Sequence, residues 1–321
     1  MPKERTVRPV SPAILVICGP TASGKTRLGV ELALRLGGEV ISADSMQIYR
    51  DMDIGTAKPT MEERRGIPHH MLDVAEPWEN WSVARYAQAA SACAENILSR
   101  GKLPIVVGGT GLYIDALVTG RDFAPFTGTW RRLLQERAKA EGMEVLYEEL
   151  RRIDPERAAR LAIGDEKRII RALEVWHETG QTISEHDART RKIPPRYRAV
   201  TLGLAFARRE DMWAQIDKRV DEMVSSGLVN EVRGLLASGI PENSTAMQAI
   251  GYKEIAAALR QDGELERAIE EIKLRTRQYA KRQLTWFRRN KEIYWQHWDT
   301  APVFSQAVQN STAYLEEYGL R

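Results

Sequence analysis

The stretch GPTASGKT at residues 19–26 constrains this chain more than any other. It follows the apolar run AILVIC at 13–18 and opens KTRLGVELALRLG, whose apolar residues fall at helical spacing until Gly37 and Gly38 stop it. A buried strand, a glycine-rich turn and a helix, in that order, form a phosphate cradle. Gly19 and Gly24 permit the turns and the close backbone approach it needs. Lys25 brings positive charge to terminal phosphate oxygens, Thr26 can set a hydroxyl on Mg²⁺, and the helix adds its N-terminal amides and dipole. The expected phosphate-binding element is thus Gly19, Pro20, Thr21, Ala22, Ser23, Gly24, Lys25 and Thr26. The plainer alternative is a glycine-rich turn that binds nothing. The loop names a phosphate but not its carrier. An ATPase would add a second apolar strand ending in an acid that holds Mg²⁺. LPIVVGGTG at 103–111 offers the strand but ends in glycines and Thr110.

The pattern around the loop predicts an α/β fold. GEVISADS at 38–45 is a second strand with Asp44 at its end, SVARYAQAASACAENILSRG at 82–101 a helix, and LPIVVGGTGLYIDALV at 103–118 a strand, turn and helix. Strands alternating with helices predict a parallel sheet flanked by helices. Ligands of such sheets lie beyond the C-terminal strand ends, where Gly19–Thr26, Asp44 and Gly108–Thr110 all fall. From Phe123 the chain turns to helix formers punctuated by Asp154-Pro155 and Gly164-Asp165, and the next strand signal is RAVTLGLAF at 198–206. The expected organisation is a core of 12–122 and 198–298, an all-helical insertion at 123–197 and a C-terminal tail at 299–321.

Composition adds limits. With 43% hydrophobic and 28% charged residues, the 321-residue chain has a globular profile and no apolar run near the ~20 residues of a membrane span. MPKERTVRPVSP lacks the apolar centre of a signal peptide and reads as a disordered lead-in. Cys18 and Cys93 are too few for a disulfide framework or a four-thiolate zinc site, and the expected location is the cytoplasm. Between Lys273 and Lys291 the sequence carries Arg275, Arg277, Lys281, Arg282, Arg288 and Arg289 with no acid, interleaved with Tyr279, Trp286 and Phe287. That mixture suits phosphate contact with base stacking, or else a solvated basic helix.

Three other positions bear on chemistry. Asp44, facing the loop from a strand end, is placed to accept a proton from a nucleophile, or to cap a turn. Arg219 lies on a helix whose apolar stripe is Ile216, Val220 and Met223; it is either exposed or reaches a phosphate crevice. His69 and His70 are adjacent, would face opposite ways on a strand, and have no Cys or His cluster nearby, which points to structural polar contacts.

Taken together, GPTASGKT, ISADSMQIYRDMDIGTAKP, GIPHHMLD, VGGTGLY, RIIRALEV, GLVNEVRGLL, QAIGYKE and TRQYAKRQLTWFR resemble the tRNA dimethylallyltransferase (isopentenyltransferase) family, in order from residue 19 to 288. The resemblance implies a P-loop NTPase-like core with an inserted domain gripping an anticodon stem-loop. It implies that the loop holds the diphosphate of dimethylallyl diphosphate, with Mg²⁺. The five-carbon group would move to N6 of the adenosine just 3′ of the anticodon, in tRNAs reading codons that begin with U. Asp44 would take the N6 proton; Lys25, Thr26 and Arg219 would stabilise the leaving diphosphate; Thr110 would lie near the adenine. Ser45, Met46 and Gln47 would touch the flipped base and its neighbours, Gln47 with an amide suited to a base edge. Arg132, Arg168, Arg171, Gln248, Gly251, Lys281 and Arg282 are the further candidate tRNA contacts. Eukaryotic relatives often append a zinc finger, and too few cysteines for one favours the bacterial form, acting as a monomer without a protein partner or membrane. A small-molecule kinase, an enzyme prenylating free adenine nucleotides and an RNA-binding protein with a relict P-loop are the rivals. None accounts for the loop, the helical insertion and the basic block at once.

Overall fold

The computed structural model describes residues 12–120, 123, 128–260 and 264–320; the first eleven residues of the expected lead-in lie outside them. The chain divides into two compact units, Met1–Gly120 with Arg196–Arg321, and Arg121–Pro195. The larger begins with β1 (Ala13–Cys18), α1 (Lys25–Leu36), β2 (Gly38–Ser42), α2 (Met61–Arg64), β3 (His69–His70), α3 (Val83–Ser99), β4 (Leu103–Gly108) and α4 (Gly111–Thr119). The smaller holds α5 (Thr129–Glu141), α6 (Met143–Ile153), α7 (Pro155–Ala158), α8 (Glu166–Thr179) and α9 (Ile183–Thr190). The larger resumes with β5 (Arg198–Phe206), α10 (Arg209–Ser225), α11 (Leu228–Ala237), α12 (Tyr252–Arg260), α13 (Leu265–Phe287), β6 (Tyr294–Trp298) and α14 (Phe304–Glu317).

The strands form one sheet in the order β3-β2-β4-β1-β5-β6, every pair parallel. A strand covered on both faces must be apolar throughout rather than alternating, and β1 is the clearest case. Leu15 and Ile17 join a core cluster with Leu28 and Leu32 of α1, while Ile14, Val16 and Cys18 join another with Tyr86 and Ala90 of α3. Burial pushes the Cys18 thiol up to about 12, so it behaves as a small hydrophobe. Register then sets the site. Cys18 lies opposite Gly108 and Ser42 opposite Val107, so the chain leaves β1, β2 and β4 side by side. Gly108 is required there: a Cβ on it would sit 2.2 Å from the Ala43 carbonyl oxygen.

β3 and β6 have no counterpart in the sequence expectation. β3 is two residues long, below any periodicity, and β6 is YWQHW, without aliphatic residues. The tail expected at 299–321 is also corrected. α14 buries Ala307, Val308 and Leu315 in the same cluster as α1 and β1, because its apolar residues recur at helical spacing against that face.

In the smaller unit, Leu134, Leu146, Leu150, Ile169, Ile170 and Leu173 form the core. Asp154 caps α7 by accepting from the Arg157 amide at 3.0 Å, with Pro155 at the first helical position. Arg196 and Tyr197 belong to the larger unit: Arg196 donates to Ser91 Oγ at 2.7 Å and the Tyr197 amide to the Val118 carbonyl at 3.2 Å.

Candidate active site

Residues 19–24 leave β1 through three positive φ angles, Gly19 (143°), Ala22 (63°) and Gly24 (82°), and α1 begins at Lys25. α1 has no capping side chain and no acid in its first turn. Its first amides and positive dipole end are therefore left to an external anion. Pro20, Ala22 and Ser23 are buried, and Ser23 Oγ closes the loop by donating to the Pro20 carbonyl at 2.9 Å. Lys25 Nζ donates to the same carbonyl at 2.6 Å. Thr26 lines the same cavity, an opening of about 980 Å³ over the C-terminal ends of the strands.

Lys25, Asp44 and Arg219 all line this cavity. Arg219, which the sequence left open, enters the crevice because Ile216 and Val220 bury the adjoining face of α10. Burial pulls the Lys25 amine down to about 8, helped by the Arg219 charge and opposed by Asp44. Burial likewise lowers the Arg219 guanidinium, with Asp44, Glu63 and Glu222 opposing. Two cations are held together in low dielectric with one carboxylate near both. Such a site favours an added polyanion.

Asp44 both faces the crevice and caps a turn, its Oδ1 accepting from the Met46 amide at 2.8 Å. Thr110 follows β4 and precedes α4; its Oγ1 accepts from the Ser45 amide at 3.1 Å, and its own amide donates to the Ala43 carbonyl at 3.1 Å. Thr110 thus grips the two residues that flank Asp44, Ala43 through its amide and Ser45 through its hydroxyl. Ser45 joins Thr110 directly, and Met46 packs against the cluster of Ile48, Tyr49 and Tyr252.

Gln47 corrects the expectation of an amide offered to a base edge. Its Nε2 donates to the carbonyls of Thr56 (3.2 Å) and Ala57 (3.1 Å), and its Oε1 accepts from Ser42 Oγ at 2.9 Å. The carboxamide is committed to the loop that shapes the crevice wall. Glu231 secures the same wall by accepting from the amides of Asp53, Ile54 and Gly55 at 2.9, 2.8 and 3.1 Å. Buried Lys58 reaches Asp53 and Asp73, both at 2.5 Å. His70 contacts Glu39 at 2.9 Å and His69 the Ile67 carbonyl at 2.9 Å, and no cluster of three or more His, Cys, Asp or Glu poised for a metal occurs among the described residues.

α13 supplies Gln283, which sequence reasoning did not single out, and Tyr279, which it took only as a stacking aromatic of the basic block. Gln283, buried, accepts from the Thr21 amide at 2.9 Å and donates to the Gly109 carbonyl at 2.9 Å. The Tyr279 hydroxyl is pushed up to about 12 by burial, with the Asp44 charge adding and hydrogen bonds to Thr110 and Gln283 opposing. The basic block on α13 divides. Lys273 pairs with Asp221 (2.8 Å), Arg275 with Glu271 (2.6 Å) and Arg277 with Asp217, so these support the fold. Among the described residues no acid pairs with Lys281 or Arg282, and Arg282 lies over the Tyr279 ring at 5.7 Å. Gln248 is exposed and donates to the Glu242 carbonyl at 2.8 Å. Gly251 departs from the expected surface contact. It is buried at φ 98°, its amide is taken by Glu254 at 2.8 Å, and it serves the turn into α12.

In the smaller unit, Arg132 and Arg168 are exposed, the latter 3.5 Å from Asp165. Arg171 is held at 2.7 Å by Glu174, which is fully buried and also takes Arg131 at 2.9 Å. That internal triad ties α5 to α8.

The family model described as IPP transferase matches residues 47–290, and that of isopentenyl transferase residues 12–76. A tRNA dimethylallyltransferase of Acetivibrio thermocellus is 46% identical over 309 residues, spanning 96% of this chain and 98% of its own. One from Pelotomaculum thermopropionicum is 49% identical, spanning 88% and 90%. Among solved structures, the tRNA delta(2)-isopentenylpyrophosphate transferase of Staphylococcus epidermidis matches with a TM-score of 0.70 at 38% identity, covering 95% of this chain and 99% of its own. A eukaryotic dimethylallyltransferase acting on tRNA matches with a TM-score of 0.81 at 31% identity, covering 96% and 80%. The similarity runs along nearly the whole length of the chain and of these relatives, and the chain belongs to the IPP transferase family.

Proposed function

We propose that this chain transfers the dimethylallyl group of dimethylallyl diphosphate to N6 of the adenosine just 3′ of the anticodon, in tRNAs reading codons that begin with U. The product is N6-dimethylallyladenosine, and diphosphate leaves. The observation that carries this reading is the grouping of Lys25, Arg219 and Asp44 around one cavity at the phosphate loop. A bond forms between N6 and the donor's first carbon as that carbon parts from the diphosphate oxygen. N6 must shed a proton, and Asp44 is the carboxylate beside the loop that can take it. Negative charge grows on the diphosphate, and Lys25, Arg219 and the open amides of α1 stand ready for it without reorganising. Thr110, joined to Ser45, orients the acceptor side. A cavity of about 980 Å³ has room for a diphosphate and a flipped purine together.

The family calls for a divalent cation, and the residues fit a hard one. The Thr26 hydroxyl offers an oxygen donor at the loop, and Mg²⁺ takes few protein ligands when substrate phosphates supply the rest. Bound there, Mg²⁺ would neutralise diphosphate charge. In this reading Lys281 and Arg282 are RNA contacts of the larger unit, and Arg132 and Arg168, exposed in the smaller unit, are RNA contacts of that unit taken by itself. The enzyme acts as a monomer in the cytoplasm; no helix among the described residues is long and apolar enough to cross a membrane.

The test is transfer of label from dimethylallyl diphosphate to an anticodon stem-loop carrying that adenosine. Label on the RNA, not competed by ATP, is the expected result. Strong ATP binding with γ-phosphate transfer would overturn it.

A further inference from the structure

One side chain touches both walls of the crevice at once. Gln283 Oε1 accepts from the amide of Thr21, in the phosphate loop, and its Nε2 donates to the carbonyl of Gly109, next to Thr110. The residue is only 5% exposed. Thr21 and Gly109 belong to connections that leave adjacent strands, and among the described residues no backbone hydrogen bond joins them directly. The backbone there is shaped around the carboxamide. A Cβ on Gly109 would sit 2.1 Å from Gln283 Nε2, and one on Gly111 would sit 2.2 Å from the Trp286 ring on the same helix. α13 therefore presses Tyr279, Gln283 and Trp286, one helical face, onto the segment that carries Thr110.

Only an uncharged amide suits this place. Thr21 offers an N–H and Gly109 a carbonyl, so the bridging group must accept on one side and donate on the other. A glutamate would set a carboxylate oxygen against the Gly109 carbonyl and put negative charge behind a loop meant for a diphosphate. A leucine would fill the volume and hold neither wall.

We infer that Gln283 is a positioning residue for prenyl transfer: its carboxamide fixes the spacing between the donor's phosphate loop and the Thr110–Asp44 side where the acceptor base is held. This rests on the reading of the site as a dimethylallyl transfer site. Gln283 lines the crevice, but both ends of its carboxamide are taken by Thr21 and Gly109, and it acts through them. Since in-line displacement depends on the distance and angle between the two reactants, a shift near 1 Å costs on the order of 100-fold in rate. Lys281 and Arg282 directly precede Gln283 in sequence, so the helix proposed to meet RNA also carries the clamp on the donor loop.

The experiment is single-turnover transfer with full-length enzyme, dimethylallyl diphosphate in excess and the anticodon stem-loop limiting. Its first-order rate constant does not depend on the fraction of enzyme that is active, so partial misfolding does not move it. For Gln283→Leu the expected result is a rate constant lower by on the order of 100-fold, with dissociation constants for the stem-loop and for inorganic diphosphate within about 3-fold of the parent. Gln283→Glu, close in shape, keeps the acceptor for Thr21 and loses the donor for Gly109; its rate constant should fall as well. Parental rate constants in the folded variants overturn the inference, and if Gln283→Leu does not fold the glutamate variant alone decides. Failure of the parent enzyme to transfer label would strike the underlying reading instead, so the two failures are told apart by the parent's own activity.

Discussion

The indole nitrogen of Trp298 donates to the carbonyl of Ser23 at 3.0 Å, joining the end of the last strand to the phosphate loop across 275 residues. Beside it the Phe304 ring lies so close to the loop that a Cβ on Gly24 would meet it at 2.6 Å, and the Arg27 guanidinium sits 4.3 Å from the centre of that ring. The loop is thus backed by the C-terminal segment. Trp298→Phe keeps the apolar body and leaves the buried Ser23 carbonyl without its donor. We expect a loss of about 1 kcal/mol, a melting temperature lower by a few degrees in calorimetry, and a raised KM for dimethylallyl diphosphate. An unchanged KM would separate this contact from the donor site.

Lys25 carries a pH signature. Its folded value is about 8 against an ordinary 10.5. Between those values the unfolded chain binds more protons, so this group's penalty on stability is full below pH 8 and fades as pH rises towards 10.5. Lys25→Met should therefore stabilise the ligand-free protein at pH 7, by on the order of 1–3 kcal/mol in urea melts, and by much less near pH 10. It should abolish measurable transfer. Diphosphate favours the protonated amine, so the parent's affinity for inorganic diphosphate should weaken above pH 8 and that inflection vanish in the variant.

In the proposed reaction Asp44 accepts the proton, and in the structure it is the counter-charge to Lys25 and Arg219. The two roles part in Asp44→Asn, which preserves shape and the oxygen that accepts from the Met46 amide. Transfer should fall by roughly 10²–10⁴. Affinity for diphosphate should hold or rise, because a negative charge has left its neighbourhood. Undiminished transfer would remove Asp44 from the chemistry.

Lys281 and Arg282, free of acid partners among the described residues, should make phosphate contacts, whereas Lys273 is paired with Asp221. Replacing both Lys281 and Arg282 by glutamine should weaken stem-loop binding and flatten the plot of log affinity against log salt by about two units of slope. Lys273→Gln should leave that slope alone and appear in thermal stability instead.

What the sequence determined by itself was local. The phosphate loop, the apolar strand before it and the helix after it are contiguous, so their chemistry and order could be read from residues 13–38 alone. The parallel sheet followed from alternating strand and helix patterns, and Asp44 and Thr110 could be set at strand ends because β2 and β4 are legible apolar runs. The tertiary structure decided whatever depends on which distant atoms meet. Arg219 looks like any helical arginine until α10 packs it into the crevice. Gln47 looks like a free amide until Ser42, Thr56 and Ala57 claim it. Three of the eight cations in the acid-free basic block are taken by Asp217, Asp221 and Glu271, the first two on another helix. Gln283 and Trp298 gave no signal, because a glutamine in a helix and a tryptophan in a short strand acquire meaning only from partners 174 to 275 residues away. Periodicity records how a segment meets water or core; it holds no record of which buried amide or carbonyl waits on the other side.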